Sequence, residues 1–488
     1  MTSTLFNKTL QEKELHILTS AVKVAEKKRG RKTIRNSNVK MIVGILESFL
    51  RKNKQVCYGG IAINNILPAN ERFYDFDSEI PDYDFFSPNA LRDVKRLADI
   101  FYKEGYETVE AKAGFHKGTY KLFVDNFQIA DITVMKKKIF DKMSKSAILK
   151  KGILYAPPNL LRMMSYNELA NPDGQVDRWK KVLERLTKLN KYYPIEVSGC
   201  DAVDFQRDFQ RDFQRDTKYD GGVKKDMYYK VRDALIEEEV VFFGGWACSL
   251  YGRYMPSQSR SKLQVELPDF DTLSVDPYTS AFAVKNSLMN DGIKHVRIKK
   301  HLGVEEFVPD HYEITVGGNS VCFIFDNRHC YSYNIIQRHN RAVKIATIDT
   351  MLKFYLAFIY YDKKYFNETR LLCMSQYLLN VQIENKLAQK GLLKRFTTDC
   401  YGNETTMAEH RGVKNDLYMK LRNKHNSPEY EKHFLKYIPR DNKSCRQLSA
   451  RCTRKKCSSN IASTTNVKKR SKKTLKKSTR KKSTWRFI

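Results

Sequence analysis

A short signature occurs twice in this chain, and it constrains the fold more than any other feature. Residues 56–66 read V-C-Y-G-G-I-A-I-N-N-I and residues 241–251 read V-F-F-G-G-W-A-C-S-L-Y. Downstream come E-I-P-D-Y-D-F-F-S (Glu79 to Ser87) and E-L-P-D-F-D-T-L-S (Glu266 to Ser274). Each set reads as a short apolar strand, a Gly-Gly turn into a helix, and a second strand carrying Asp-x-Asp. A doubled unit in 488 residues predicts two similar α/β domains with helical additions.

The first copy carries chemistry. In an extended strand residues i and i+2 share a face, so Asp82 and Asp84 project together while Tyr83 turns into the core. Adjacent carboxylates repel each other unless a cation lies between them. Mg²⁺ (or Mn²⁺) suits such a place, because it takes oxygen ligands and leaves positions for substrate phosphates. Residues 120–134 (Y-K-L-F-V-D-N-F-Q-I-A-D-I-T-V) predict a hairpin turning at Asp125-Asn126, with Asp131 on the second arm. Asp82, Asp84 and Asp131 then form a set for two divalent ions, one activating an attacking hydroxyl and one holding a triphosphate. At Gly59 and Gly60 phosphates can approach the backbone and the free N–H groups of the next helix, with Asn64 or Asn65 as a candidate side-chain donor. This is the layout of a nucleotidyl-transfer site.

A helix is expected to start near Asp177, its N-cap, after the Pro172-Asp173-Gly174 turn. Trp179, Val182, Leu183, Leu186 and Leu189 form its apolar face, and Arg178, Lys181, Arg185 and Lys188 fall on the other side. That basic stripe is either a solvated face or a contact for triphosphate or RNA, with Arg178 and Lys181 as the candidates.

The second copy repeats the acid pair at Asp269 and Asp271. Aligning Tyr120–Val124 with Tyr312–Val316 sets Phe323 or Ile324 opposite Asp131, which leaves this copy without a third carboxylate and degenerate. A three-residue insertion at Gly317-Gly318-Asn319 would instead bring in Asp326, and the sequence leaves that open.

The remaining organisation follows from composition. Residues 1–45 read as a helical segment, 46–195 as the catalytic domain with a helical extension, and 196–225 as a linker. Residues 226–345 form the degenerate domain, 346–439 a helical region, and 440–488 a basic arm expected to be disordered. The linker repeats D-F-Q-R three times (Asp204 to Arg215), which reads as a loop or short exposed helix. Asp349 and Lys353 interrupt the apolar stretch Ile345 to Tyr361, so a buried helix is expected there and no membrane span. Net charge is +33, of which residues 440–488 carry +17, and it points to a polyanionic partner. The ten scattered Cys are expected to be reduced thiols of an intracellular protein without a signal peptide. Cys445, Cys452 and Cys457 lack a nearby His and make a poor zinc site.

Several stretches carry a family resemblance. They are Y-G-G-I-A-I-N-N-I-L-P, I-P-D-Y-D-F-F-S-P, I-A-D-I-T-V, R-W-K-K-V-L-E-R-L-T-K-L-N-K-Y-Y-P (178–194), D-T-M-L-K-F-Y-L-A-F (349–358) and L-A-Q-K-G-L-L-K-R-F (387–396). In these the chain resembles the poly(A) polymerase catalytic subunits of nucleocytoplasmic large DNA viruses, of the poxvirus, asfarvirus and giant-virus type. The resemblance implies two polymerase-β-like nucleotidyltransferase domains, the second degenerate. It also implies template-independent transfer of AMP from ATP to RNA 3′ ends, with viral mRNA as substrate. Asp82, Asp84 and Asp131 would be the metal-binding triad, and Gly59 and Gly60 the phosphate turn. A second copy or a cap-methyltransferase subunit would be the partner, in the host cytoplasm and the virion. Rival readings are another RNA nucleotidyltransferase, or a non-catalytic RNA-binding protein built on relic domains.

Overall fold

The two copies of the signature build two sheets with the same order of strands. In the first, β1 (Val56–Cys57), β2 (Tyr83–Ser87), β3 (Val109–Ala113), β4 (Thr119–Val124), β5 (Phe127–Val134), β6 (Ile148–Lys150) and β7 (Ile153–Tyr155) are ordered β3-β4-β5-β2-β1-β7-β6. In the second, β8 (Val241–Phe242), β9 (Phe270–Ser274), β10 (Val296–His301), β11 (His311–Val316), β12 (Asn319–Asp326), β13 (Tyr331–Arg338) and β14 (Arg341–Ala346) are ordered β10-β11-β12-β9-β8-β14-β13. β15 (Cys400–Tyr401) then joins the outer edge at β13, and β16 (Lys436–Tyr437) joins at β3, giving two eight-stranded sheets of a mixed α/β protein. The computed structural model describes residues 37–439 except 75, 77–81, 201–202, 204, 206, 208–220, 257–267, 269, 305–306, 339, 362 and 364, plus scattered residues between 13 and 28. The basic arm, Asp269 and most of the D-F-Q-R run lie outside the described residues.

The match extends to register. β1 runs antiparallel to β2 and parallel to β7, as β8 does to β9 and β14. Tyr58 N donates to Asp84 O at 2.9 Å, and Phe243 N to Asp271 O at 2.9 Å. The hairpin turns at Asp125 and Asn126, whose φ of 49° and 66° are the left-handed pair a two-residue turn requires. Gly317 and Gly318 (φ 59° and 96°) occupy the same place in the second sheet. Each hairpin also carries a bulge, between Leu122 and Phe123 in one and between Ile314 and Thr315 in the other. No insertion separates the two copies here.

The expected helix around residue 350 is Ile348–Phe358, capped by Thr347 and buried at every position. Its two charges are met inside the protein. Asp349 accepts two bonds from Arg395, at 3.0 and 2.6 Å. Lys353 lies over the Phe354 ring at 3.8 Å, and burial pulls its ammonium down to about 7. Among the described residues no helix is long and apolar enough to cross a membrane.

Three expectations are corrected. Cys200 pairs with Cys373 and Cys330 with Cys400 as disulfides, where reduced thiols were expected. These partners lie 173 and 70 residues apart, and composition cannot bring them together. Asp177 is not the cap of its helix: it lies in a 3₁₀ turn, Val176–Arg178, that precedes the helix Trp179–Tyr192. The start is anchored instead by Trp179 Nε1, which donates to Glu168 O at 2.9 Å. Within the D-F-Q-R run, Phe205 and Arg207 are buried, not exposed.

The late chain is divided between the sheets. Helices Met407–Leu421 and Pro428–Phe434 lie against the first, where Ala113 N donates to Leu435 O at 2.9 Å and Tyr120 OH to Lys432 O at 3.1 Å. The sharpest stability test is the Asp349 pair. Arg395→Ala leaves a carboxylate that is 1% exposed without its counter-charge, and should cost about 3–5 kcal/mol in thermal or denaturant unfolding.

Candidate active site

Parallel pairing of β2 with β5 sets Asp84 directly beside Asp131. Tyr83, one residue earlier, is buried and donates its hydroxyl to Glu47 Oε1 at 2.7 Å, so alternation turns Asp84 to the opposite face. Asp82 stands exposed at the mouth of β2. The three acids feel one another. Burial first, then the charges of Asp82 and Asp131, push Asp84 up to about 7. Burial and Asp131 likewise raise Asp82 above the usual carboxylate range.

Lys121, which the sequence reading passed over, answers part of this repulsion. Its ammonium lies 2.7 Å from Asp131 Oδ2 and 3.2 Å from Gln128 Oε1, and Gln128 Nε2 donates to Asp131 Oδ1 at 3.0 Å. The bulge produces this pairing. A regular hairpin from the Asp125-Asn126 turn would set Lys121 opposite Ala130, but the shift at Leu122/Phe123 sets it opposite Asp131.

Gly59 closes the site from the other side. Its φ is +69°, and a Cβ there would lie 2.7 Å from Asp84 Oδ2. Gly60 is the second residue of helix Gly59–Ile66, and a Cβ on it would strike Tyr74 OH and Arg185 Nη1 at 2.5 and 2.6 Å. Arg185 donates to Tyr74 OH at 2.9 Å and stacks on Phe73 and Tyr74, at 4.8 and 5.3 Å from their ring centroids. It makes no ion pair among the described residues, so a partly buried cation sits beside the Gly-Gly turn.

The other expected residues are placed differently. Asn64 is fully buried, and its Oδ1 accepts from Phe73 N and Tyr74 N, both at 2.9 Å, while Nδ2 donates to Asn65. It shapes the loop that carries Tyr74 and does not face a ligand. Arg178 is exposed, lies 3.5 Å from Glu168, and its charge lowers the Asp84 carboxyl. Lys181 is exposed on the same helix. Lys188 is taken up by Glu71, 2.9 Å away.

In kind, the donors fit a divalent cation: the three carboxylates lie near one another, and burial together with their mutual repulsion pushes two of them toward their neutral forms. They do not form a ready cage. Among the described residues no three acidic, imidazole or thiol groups converge closely enough to hold an ion, and Asp131 is engaged by Lys121 and Gln128.

The second sheet lacks this set. β9 and β12 pair Asp271 with Phe323, the position matching Asp131. Asp326 lies opposite Ser274, three residues further along the strand, and pairs with Arg328 at 3.2 Å.

Two measurements follow. An acid with a folded pKa near 7 and an ordinary value of 3.8 costs the folded state stability as pH rises through that window, because the unfolded chain ionises first. Asp84→Asn should therefore melt above the wild type at neutral pH in metal-free buffer, with the gain vanishing toward pH ~4. Gly59→Ala should melt lower by about 1–3 kcal/mol, through its left-handed φ and its clash with Asp84.

Comparison with known proteins bears on the same residues. Residues 44–175 match the family described as poly(A) polymerase catalytic subunit. A mimivirus protein assigned as such a subunit is 34% identical over 163 residues, 32% of this chain and 27% of that one. Its counterpart in African swine fever virus (isolate Tick/Malawi/Lil 20-1/1983) is 31% identical over 159 residues, 31% of this chain and 33% of that one. The aligned stretch thus spans no more than a third of these two relatives. The crystal structure of the Megavirus polyadenylate synthase superposes with a TM-score of 0.72 over 96% of this chain and 92% of that one, at 19% identity, a likeness of fold. The likeness to the poly(A) polymerase catalytic subunits is thus concentrated in residues 44–175, the stretch that carries all three acids.

Proposed function

We propose that this chain adds AMP from ATP to RNA 3′ ends without a template, at the site formed by Asp82, Asp84 and Asp131. The observation that carries the reading is the β2–β5 register. It sets Asp84 beside Asp131, against a Gly-Gly turn with a basic side chain over it. The three carboxylates are the ligands for Mg²⁺ or Mn²⁺, which supplies activation of the attacking hydroxyl and neutralisation of the leaving pyrophosphate. Asp84 and Asp82 approach the phosphates from the strand side. Gly59 and Gly60 leave room for phosphate oxygens at the helix N-terminus. Arg185, held by Tyr74, meets the triphosphate, while Arg178 and Lys181 extend the positive rim toward RNA.

Lys121 plays a counter-charge role. Its ammonium pairs with the Asp131 carboxylate, whose charge a divalent ion bound by the three acids would also neutralise. The surplus of basic residues draws the RNA backbone to the protein, and binding should weaken with salt. The relatives are viral, and the reading extends to viral mRNA as substrate, in the host cytoplasm and the virion.

Extension of an RNA primer with each of the four nucleoside triphosphates tests this. Long products with ATP are expected, and a single addition or a preference for CTP would defeat the poly(A) reading. Asp131→Ala should abolish extension while RNA binding stays nearly unchanged. Arg185→Ala should raise the KM for ATP by about tenfold, the scale of one lost charged hydrogen bond.

A further inference from the structure

The D-F-Q-R run has no place in the chemistry above, yet two residues of its first copy, Phe205 and Arg207, are buried. Arg207 and Asp271 form an ion pair with side chains only 2% and 3% exposed. Asp271 is the strand acid of the second sheet, matching Asp84, and a Cβ on Gly244 would lie 2.4 Å from its Oδ2, as Gly59 abuts Asp84. The Arg207 guanidinium lies over the Phe323 ring at 4.7 Å, the ring that stands where the first sheet has Asp131. The backbone around it is fastened too. Arg370 Nη1 donates to Phe205 O at 3.0 Å, and the Phe205 ring meets Tyr377 edge-on at 5.9 Å.

We propose that the Phe-x-Arg unit of this repeat is the resident ligand of the second domain's cation position. Among the described residues a divalent ion is not what this place fits: the Asp271 carboxylate faces the Phe323 ring where the first sheet has Asp131. A planar guanidinium fits both, pairing with the carboxylate through its edge and with the ring through its face. Loss of the third acid and gain of Arg207 are two halves of one exchange, in which the linker's own cation replaces a diffusible one. The former site thereby becomes a clamp that fixes the linker to the second domain. This rests on the β9–β12 register and holds whether or not the first site transfers nucleotides.

The repeat adds a consequence. Asp208-Phe209-Gln210-Arg211 duplicates Asp204-Phe205-Gln206-Arg207, so removing one copy presents the same unit to the same seat.

Thermal unfolding of the full chain tests the clamp with four variants: Arg207→Met, Asp271→Leu, the two combined, and deletion of residues 204–207. Each single substitution removes one partner of this buried pair and should lower the Tm by on the order of 5–10 °C. The combined variant removes both charges and should recover most of that loss. The deletion should melt close to the wild type. Additive losses in the combined variant, or single variants that melt like the wild type, would overturn the ion-pair clamp. A deletion that melts as low as Arg207→Met would show that the seat does not accept the repeated unit, and would overturn its assignment as the ligand.

Discussion

Parallel pairing of β2 with β5 puts two carboxylates side by side at the pole of a buried sheet, and the rest of the site follows from that constraint. Like charges so placed are unstable without compensation. The protein compensates in pieces, through Lys121 on the adjoining strand, the Gln128 amide, and Arg178 at the start of a helix. Asp84 is still held near 7. The remaining deficit of positive charge is what a divalent ion would meet under the proposed function.

The second sheet shows how the same backbone settles once the constraint is relaxed. Strand order, hairpin turn and bulge are all retained, so the backbone does not distinguish the halves. One position does. With Phe323 in place of Asp131, Asp271 is the acid that the described residues keep on this strand pair, and it is met by Arg207. A buried charge must be paired in either half, and the number of acids decides whether the partner comes from solution or from the chain.

Sequence and structural likeness divide along the same line. Family similarity is concentrated in residues 44–175, which hold the acids, the Gly-Gly turn and the hairpin. The likeness of fold covers nearly the whole chain at 19% identity. A packed sheet needs only apolar residues at alternating positions, so the fold can stay alike at low identity.

Much of this was legible in the linear order of residues. The doubled Gly-Gly and Asp-x-Asp signature, the turn at Asp125-Asn126 and the buried helix near residue 350 are local patterns, and local rules of alternation and turn chemistry suffice to read them. Sequence alignment offered Phe323 or Ile324 opposite Asp131 and left an insertion toward Asp326 open, and the hairpin turn and the β9–β12 register decided for Phe323. The rest depended on contacts between distant segments. A one-residue bulge moves Lys121 from Ala130 to Asp131, and nothing in the strand's alternation announces it. Asn64 looked like a phosphate donor and instead holds the loop that positions Tyr74. The Cys200–Cys373 disulfide and the Arg207–Asp271 pair join residues that no periodicity relates. By itself the sequence determined which groups the molecule has and on which strands they lie. Only the tertiary structure decided which charges meet, because that depends on strand register and chain return, which are set by the packing of the whole core.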